Sequence, residues 1–220
     1  MPLLRHLAPV NDPLLVNDLH SQLNSTRVAR VLTPVGIDAL AAVVRSARSR
    51  GAQLSVCGGR HAMGGQQFGA DTWLVDLRHH AAIHSFDRER GLITVDAGIQ
   101  WPELISGYLD RQMGSGPRWG ICQKQTGADR LTLGGALAAN VHGRGLRRPP
   151  LVADVEAFTL INPQGEARQC SRTETAHLFG LAIGGYGLFG IVASLTLRLM
   201  PRVKVERRVE VLTLEVLIRV

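Results

Sequence analysis

Apolar and polar positions alternate with two different periods along this chain, and the change of period predicts an α+β fold. Residues 27–33, 53–57 and 72–77 are short apolar runs rich in β-branched side chains, which is typical of buried strands. Between the first two, residues 37–50 carry apolar side chains at helical spacing and end before Gly51. This order of strand, helix, strand, loop and strand predicts a small parallel sheet at the start of the domain.

The rest of the chain predicts a larger mixed or antiparallel sheet with helices. Its predicted strands are 82–86, 92–96, 152–161, 167–170 and 191–199, and its predicted helices are 101–111, 134–140 and 173–181. Residues 114–133 read as a polar connection, and residues 203–220 alternate as a further strand. The sequence predicts three divisions. They are an irregular arm (1–26), a domain of two subdomains (about 27–80 and 81–201), and the first part of a truncated C-terminal domain (202–220).

Composition narrows the class of protein. The net charge is +7, but the basic residues are scattered and are not interleaved with aromatic side chains, so we predict no nucleic-acid partner. A basic nucleic-acid-binding protein is the weaker alternative, based on charge alone. Cys57, Cys122 and Cys170 lie far apart with no metal-ligand spacing, which predicts no metal site and a reducing, cytoplasmic location. No apolar run reaches the roughly 18 residues of a membrane span.

A glycine-rich loop after the strand at 53–57 carries the most specific chemistry. Residues 58–65 contain four glycines, whose backbone can approach a ligand closely. Successive N–H groups in such a loop can form a nest for a phosphate ester. His61 stands in the middle of the loop as a potential nucleophile, so the loop predicts a nucleotide cofactor held by backbone and by this histidine.

Five segments in one order resemble the FAD-binding (PCMH-type) domain of the vanillyl-alcohol oxidase and p-cresol methylhydroxylase flavoprotein superfamily. They are residues 31–34, 58–66, 95–101, 132–143 and 184–192. The resemblance covers residues 27–201 and implies a two-subdomain α+β fold with FAD between the subdomains. It says much less about the substrate, because the substrate-facing groups of the family come mainly from a second, C-terminal domain.

The resemblance also implies which residues touch the cofactor. The glycine loop would bind the FAD pyrophosphate. Residues 129–143 would form a second wall of the cofactor site, and residues 191–192 would lie near the adenine end. The implied residues are Val56, Gly58, Gly59, Arg60, His61, Ala62, Gly64, Gln66, Asp129, Thr132, Gly134, Gly135, Ala138, Asn140, His142, Gly143, Ile191 and Val192.

His61 matches the histidine that many family members bond to the 8α-methyl group of the flavin. Covalent and non-covalent FAD are both open, because two neighbouring residues depart from the pattern: Arg60 replaces a glycine or small residue, and Ala62 replaces a serine. A second covalent link through Cys122 is disfavoured by its spacing. His142 would either help to bind flavin or cap a helix.

The function that follows is FAD-dependent oxidation of a small alcohol, sugar, lactone or hydroxy acid, by hydride transfer to flavin N5. Oxygen or another acceptor would then take the electrons. The catalytic residues are unknown, since the sequence indicates neither a Ser-His-Asp set nor a pair of carboxylates. The alternative is an FAD-binding module or subunit without turnover of its own, which would need a missing C-terminal domain or a partner subunit.

Overall fold

The computed structural model of the protein describes residues 12–125, 127–145 and 147–219. Residues 1–11 of the predicted arm and the terminal Val220 lie outside the described residues. The strands are β1 (Leu15–Val16), β2 (Thr26–Arg27), β3 (Arg30–Leu32), β4 (Leu54–Cys57), β5 (Trp73–Asp76), β6 (Ile83–Asp87), β7 (Leu92–Asp96), β8 (Trp119–Gly120), β9 (Val155–Ile161), β10 (Ala167–Ser171), β11 (Ile191–Arg198) and β12 (Met200–Pro201). The helices are α1 (Ile37–Ser49), α2 (Trp101–Arg111), α3 (Leu133–Ala138), α4 (Ala176–Ala182) and α5 (Leu214–Leu217).

Strands β3, β5 and β4 form a parallel sheet in that order, with β5 in the centre. Helix α1 connects β3 to β4 and buries Leu40, Ala41 and Val44, which recur on one face of the helix. Gly36 precedes the helix with φ +89°, a conformation that glycine adopts without a Cβ clash. The parallel sheet that the apolar pattern predicts is therefore present.

The second sheet has five antiparallel strands in the order β10-β9-β11-β7-β6. Helices α2 and α3 pack with it in the largest hydrophobic core of the described chain, where Trp101, Leu104, Leu133, Phe158 and Leu195 are buried. The two sheets together confirm the predicted α+β class.

The two sheets meet where β5 and β7 end. Gly98 N donates a hydrogen bond to the carbonyl of His80 at 2.8 Å, and Gly134 N donates to the carbonyl of Ala97 at 2.7 Å. A β-carbon at Gly98 would overlap the carbonyl groups of Leu77 and His80. Only glycine therefore fits at position 98, where the ends of both sheets and helix α3 come together.

The segment after the second sheet does not form the predicted strand. Within 202–219, the described residues contain the short helix α5 and no strand. The strand prediction for 203–220 is wrong because alternation alone does not make a strand, which needs a hydrogen-bonded neighbour. Val211 is 99% exposed, so its apolar side chain has no sheet to pack against.

Residues 12–26 are less irregular than the composition of the arm predicts. Strand β1 pairs with β2, and Val16 is buried with Val28, Cys57 and Leu74. This part of the arm therefore packs on the three-stranded sheet. Two smaller differences are strand β8 inside the predicted polar connection 114–133, and a 3₁₀ turn at Leu151–Ala153 where the predicted strand 152–161 begins.

No helix among the described residues is both long enough and apolar enough to span a bilayer.

Candidate functional site

A cleft lies at the junction of the two sheets. It encloses about 610 Å³ of space, part of which is open to solvent. Eight of the predicted cofactor residues line it, although they come from three separate parts of the chain. They are Val56, Gly58, Thr132, Gly134, Gly135, Ala138, Ile191 and Val192.

Glycines occupy positions in the cleft lining that leave no room for a β-carbon. A β-carbon at Gly58 would lie 2.9 Å from both Cβ and Cγ2 of Thr132 and closer still to its hydroxyl oxygen. A β-carbon at Gly134 would lie 2.9 Å from that of Ala97. Thr132 is itself buried and its hydroxyl accepts a hydrogen bond from Gly135 N at 3.3 Å at the start of α3. Backbone therefore faces the cleft where larger residues would fill it.

The structure adds lining residues that motif reasoning did not assign to the cofactor. They are Cys57, Leu77, Ala97, Ala182, Tyr186, Gly187, Phe189 and Gly190. Part of this set could be expected from the sequence, because residues 184–190 fall in the last of the five segments that carry the family resemblance. Tyr186 adopts φ +51°, a left-handed conformation that is uncommon for a residue with a β-carbon. It is 62% exposed at the mouth of the cleft.

Arg60 shows how the glycine loop tolerates a large residue. Its φ is +57°, in the left-handed region, which explains why a glycine or a small residue suits this position. The Arg60 guanidinium donates to the Asp76 carboxylate at 3.0 Å, and Arg78 donates to the same carboxylate at 2.6 Å. Burial of Asp76 acts to raise its pKa, but hydrogen bonds and charge from Arg78 and the charge of Arg60 outweigh burial and lower the pKa. A buried carboxylate thus anchors the loop to the end of β5.

His61 makes a contact that the sequence did not suggest. Its Nδ1 lies 2.8 Å from Nε2 of His20, and the two ring centroids are 5.0 Å apart. Nε2 of His61 is buried and has no hydrogen-bond partner in the described part of the chain. Burial lowers the pKa of His61, and the charge of His20 adds to this effect while the carbonyl of Arg130 opposes it. Burial and the neighbouring His20 thus both favour the neutral imidazole of His61.

The remaining predicted residues do not line the cleft. Asp129 is exposed and paired with Lys124. The Asn140 side chain accepts a hydrogen bond from Val152 N at 3.1 Å, which is a structural role. His142 is exposed, and its Nδ1 lies 2.8 Å from the carbonyl of Gly143. Six more stay with the glycine loop or its neighbours rather than in the cleft, and they are Gly59, Arg60, His61, Ala62, Gly64 and Gln66.

The arrangement fits FAD. The cofactor has an anionic pyrophosphate, which suits the backbone N–H groups of the glycines in the lining. It also has planar, largely apolar rings, which suit apolar lining side chains such as Leu77 and Phe189. Nε2 of His61, at the same end of β4, supplies a buried polar group that finds no partner within residues 12–125, 127–145 and 147–219. The fold and the site together define an FAD-binding domain of a flavoprotein oxidoreductase.

Comparison with known families agrees with this class. The family model described as "FAD binding domain" matches residues 28–171, about two thirds of the chain, and the chain belongs to that family. Its cofactor is FAD. When bound, FAD supplies the redox chemistry of an oxidoreductase.

Several curated proteins are similar over most of this chain. An uncharacterised oxidoreductase from the fasciation locus of Rhodococcoides fascians is 27% identical over 169 residues, which cover 77% of this chain and 37% of that protein. L-gulonolactone oxidase of Mus musculus is 25% identical over 170 residues, with the same two coverages. Cytokinin dehydrogenase 3 of Oryza sativa subsp. japonica is 31% identical over 141 residues, covering 61% of this chain and 25% of that protein. The chain thus spans less than two fifths of the length of these relatives.

Proposed function

We propose that this chain is the FAD-holding part of an oxidoreductase that oxidises a CH–OH carbon of a small alcohol, sugar, lactone or hydroxy acid. The observation that supports it most is the cleft itself, where the glycine loop, the start of α3 and the start of β11 meet. Similarity to an L-gulonolactone oxidase and to a D-arabinono-1,4-lactone oxidase favours a sugar lactone among these substrates.

The chain's own residues would hold and shape the cofactor. Gly58, Gly134 and Gly135 would let the pyrophosphate approach backbone N–H groups. Ile191 and Val192, at the start of β11, would contact the adenine end, as the family resemblance implies. The apolar lining would exclude water from the flavin, which favours transfer of hydride over loss of the reduced state to side reactions.

His61 would carry the flavin covalently. The support is its place in the glycine loop, the lowered pKa that burial causes, and its buried Nε2, which has no hydrogen-bond partner among the described residues. A bond at the 8α position withdraws electron density from the flavin and raises its potential, which favours hydride removal from an alcohol carbon.

The test is flavin content before and after denaturation. We expect the purified chain to be yellow, its band on a denaturing gel to fluoresce, and His61→Ala to lose gel fluorescence while it still binds FAD. His177→Ala is the matched control, because His177 is exposed at the start of α4. Yellow protein with a dark wild-type band would refute the covalent link alone. A colourless chain that does not take up added FAD would refute the proposed function.

A second candidate is an FAD-binding module without turnover of its own, which the cleft lining favours because the described residues that line it include no histidine, carboxylate or lysine. Steady-state assays of the flavin-loaded chain with L-gulono-1,4-lactone, with oxygen or a dye as acceptor, separate the two candidates. Turnover by the chain alone excludes the module, whereas bound FAD without turnover supports it.

A further inference from the structure

Arg60 is one of two residues in the glycine loop that depart from the family pattern, and its backbone has a conformation that suits glycine. Its φ is +57°, where a β-carbon crowds the following carbonyl group. Leu19 N donates to the Arg60 carbonyl at 3.0 Å, which helps to hold the backbone there. Strained residues persist where the surrounding structure fixes them, and they cluster at ligand sites. Because glycine would avoid this strain, a role for the Arg60 side chain is expected.

The guanidinium of Arg60 is fixed at the edge of the cleft. Its Nη2 donates to Asp76 Oδ2 at 3.0 Å, and its Cζ lies 5.9 Å from the centroid of the Phe68 ring. Burial and the charge of Asp76 raise the pKa of the Cys57 thiol, whereas the charge of Arg60 opposes this rise, so the guanidinium lies close to Cys57. Cys57 lines the cleft, as does Leu77, which follows Asp76 in the chain. The guanidinium thus lies beside lining residues.

One N–H group of this guanidinium has no acceptor in the described chain. Arg60 Nε is buried, and no hydrogen-bond partner for it lies among the residues that the structure describes. The side chain as a whole is 18% exposed, which limits its contact with bulk water. A buried donor on a charged group is costly to leave unpaired. The arrangement therefore predicts a ligand oxygen next to Arg60 Nε.

The charges around Asp76 are also unbalanced. Arg60 and Arg78 both pair with its carboxylate, at 3.0 Å and 2.6 Å, and neither has another ion-pair partner in the described parts of the chain. Two positive charges therefore share one negative charge, which leaves one positive charge over. An anionic ligand would balance it, and guanidinium groups suit phosphate oxygens in both charge and geometry.

We propose that the Arg60 guanidinium binds the FAD pyrophosphate and takes the place of the serine hydroxyl that the family has at position 62. The inference rests on the proposed place of the pyrophosphate at the glycine loop. Asp76 orients the guanidinium through Nη2, and Nε donates to a phosphate oxygen. Ala62 has no hydroxyl, so the loop lacks one donor there and has a charged donor two residues earlier.

Titration calorimetry of the apo chain with ADP and with adenosine tests this role. ADP carries the diphosphate and adenosine does not, so the ratio of their dissociation constants measures the contribution of the phosphates. Neither probe can form a covalent bond to His61, so both bind reversibly. Uptake of FAD by the same chain is measured separately, by absorbance after gel filtration.

Four variants are compared with the wild type. Arg60→Gly removes the guanidinium and suits φ +57°, and Ala62→Ser added to it restores the family pattern. Arg78→Gln removes the other partner of Asp76, so it reports the effect of disturbing that cluster alone. Arg90→Gln is the charge-matched control, because Arg90 is exposed between β6 and β7.

We expect Arg60→Gly to reduce the preference for ADP over adenosine by about 10- to 100-fold, the range for a hydrogen bond to a charged group. Its affinity for adenosine should stay within about threefold of the wild type. Ala62→Ser should recover part of the preference in the Arg60→Gly chain. Arg78→Gln should lower the Tm but keep the preference, and Arg90→Gln should match the wild type.

An unchanged preference for ADP in Arg60→Gly would overturn the role of Arg60 and leave FAD binding intact. An equal loss in Arg78→Gln would overturn it too, because the effect would then come from the whole Asp76 cluster. Ala62→Ser without any recovery would overturn the replacement of the serine. A wild-type chain that takes up no FAD would overturn the proposed function as well as this role.

Discussion

Asp76 offers the sharpest test of how the glycine loop is held. Its side chain is 0% exposed at the end of β5 and accepts hydrogen bonds from two guanidinium groups. In Asp76→Asn the volume is nearly unchanged, but one carboxylate oxygen becomes an NH₂ donor that faces Arg60 and Arg78. The variant therefore removes the charge and reverses the polarity of one contact without creating a cavity.

The loss of stability expected for Asp76→Asn follows from these contacts. The oxygen Oδ2 accepts from Arg60 Nη2 at 3.0 Å and from Arg78 Nη2 and Nε at 2.6 Å and 3.1 Å, and these three bonds are lost when Oδ2 becomes the NH₂ group. Hydrogen bonds to charged groups contribute about 1.5–3 kcal/mol each. The Arg78 side chain is 41% exposed and can be rehydrated, so its share is smaller. We expect Asp76→Asn to lower the free energy of unfolding by about 2–3 kcal/mol, or the Tm by roughly 5–10 °C in a chain of this size.

Urea unfolding at several pH values measures this effect. Asp76 has a lowered pKa in the folded chain, so its contribution is fully present above the unfolded value of about 4 and is lost as the pH falls through the folded value. The difference between wild type and variant should therefore be constant from pH 6 to 8 and should shrink below pH 4. Asp71→Asn is the control, because Asp71 is exposed and its φ of +57° suits asparagine. A loss below about 0.5 kcal/mol at pH 7, or a difference that grows in acid, would refute this reasoning.

Two further predictions concern the cleft. Gly58→Ala should push Thr132 from its place as the cap of α3 and weaken FAD binding by about tenfold or more. Gly180→Ala in α4, where nothing lies within 4 Å of the added carbon, should bind FAD normally, and isothermal titration compares the two. Burial first, and then the charge of Asp76, raise the pKa of Cys57 to about 11. Iodoacetamide at pH 8 should therefore alkylate Cys57 much more slowly than Cys122, whose pKa burial also raises but whose side chain is partly exposed. Mass spectrometry of the alkylated peptides compares the two rates, and fast labelling of Cys57 in the folded chain would contradict this burial.

Most helices and strands could be predicted from the sequence, because their signals are local. The apolar spacing in α1 and the β-branched runs of β4 and β5 lie within a dozen residues, and each element forms where its pattern stands. The strand predicted over 203–220 failed for the complementary reason. Its alternation is local, but a strand depends on a partner that pattern alone does not supply.

The cofactor class was also readable from the sequence, since glycines have a positional meaning. Gly58 and Gly134 stand where a β-carbon would collide with Thr132 or Ala97, so the ordered set of glycine motifs marks the segments that line the cleft. Asp129 and His142, which the same motifs imply, are exposed and lie outside the cleft lining, so their contact with the cofactor stays a prediction. Proximity in a motif does not say which way a side chain points.

The sequence by itself determined the α+β class, the elements and the FAD-binding family, whose signals are short-range periodicity and glycine spacing. Only the tertiary structure decided that His20 meets His61 and that Asp76 holds Arg60. These pairs join loops and strand ends that are far apart in the chain and have no repeating pattern. Their contacts depend on how two sheets and a packed arm come together, and that long-range geometry has no local signature.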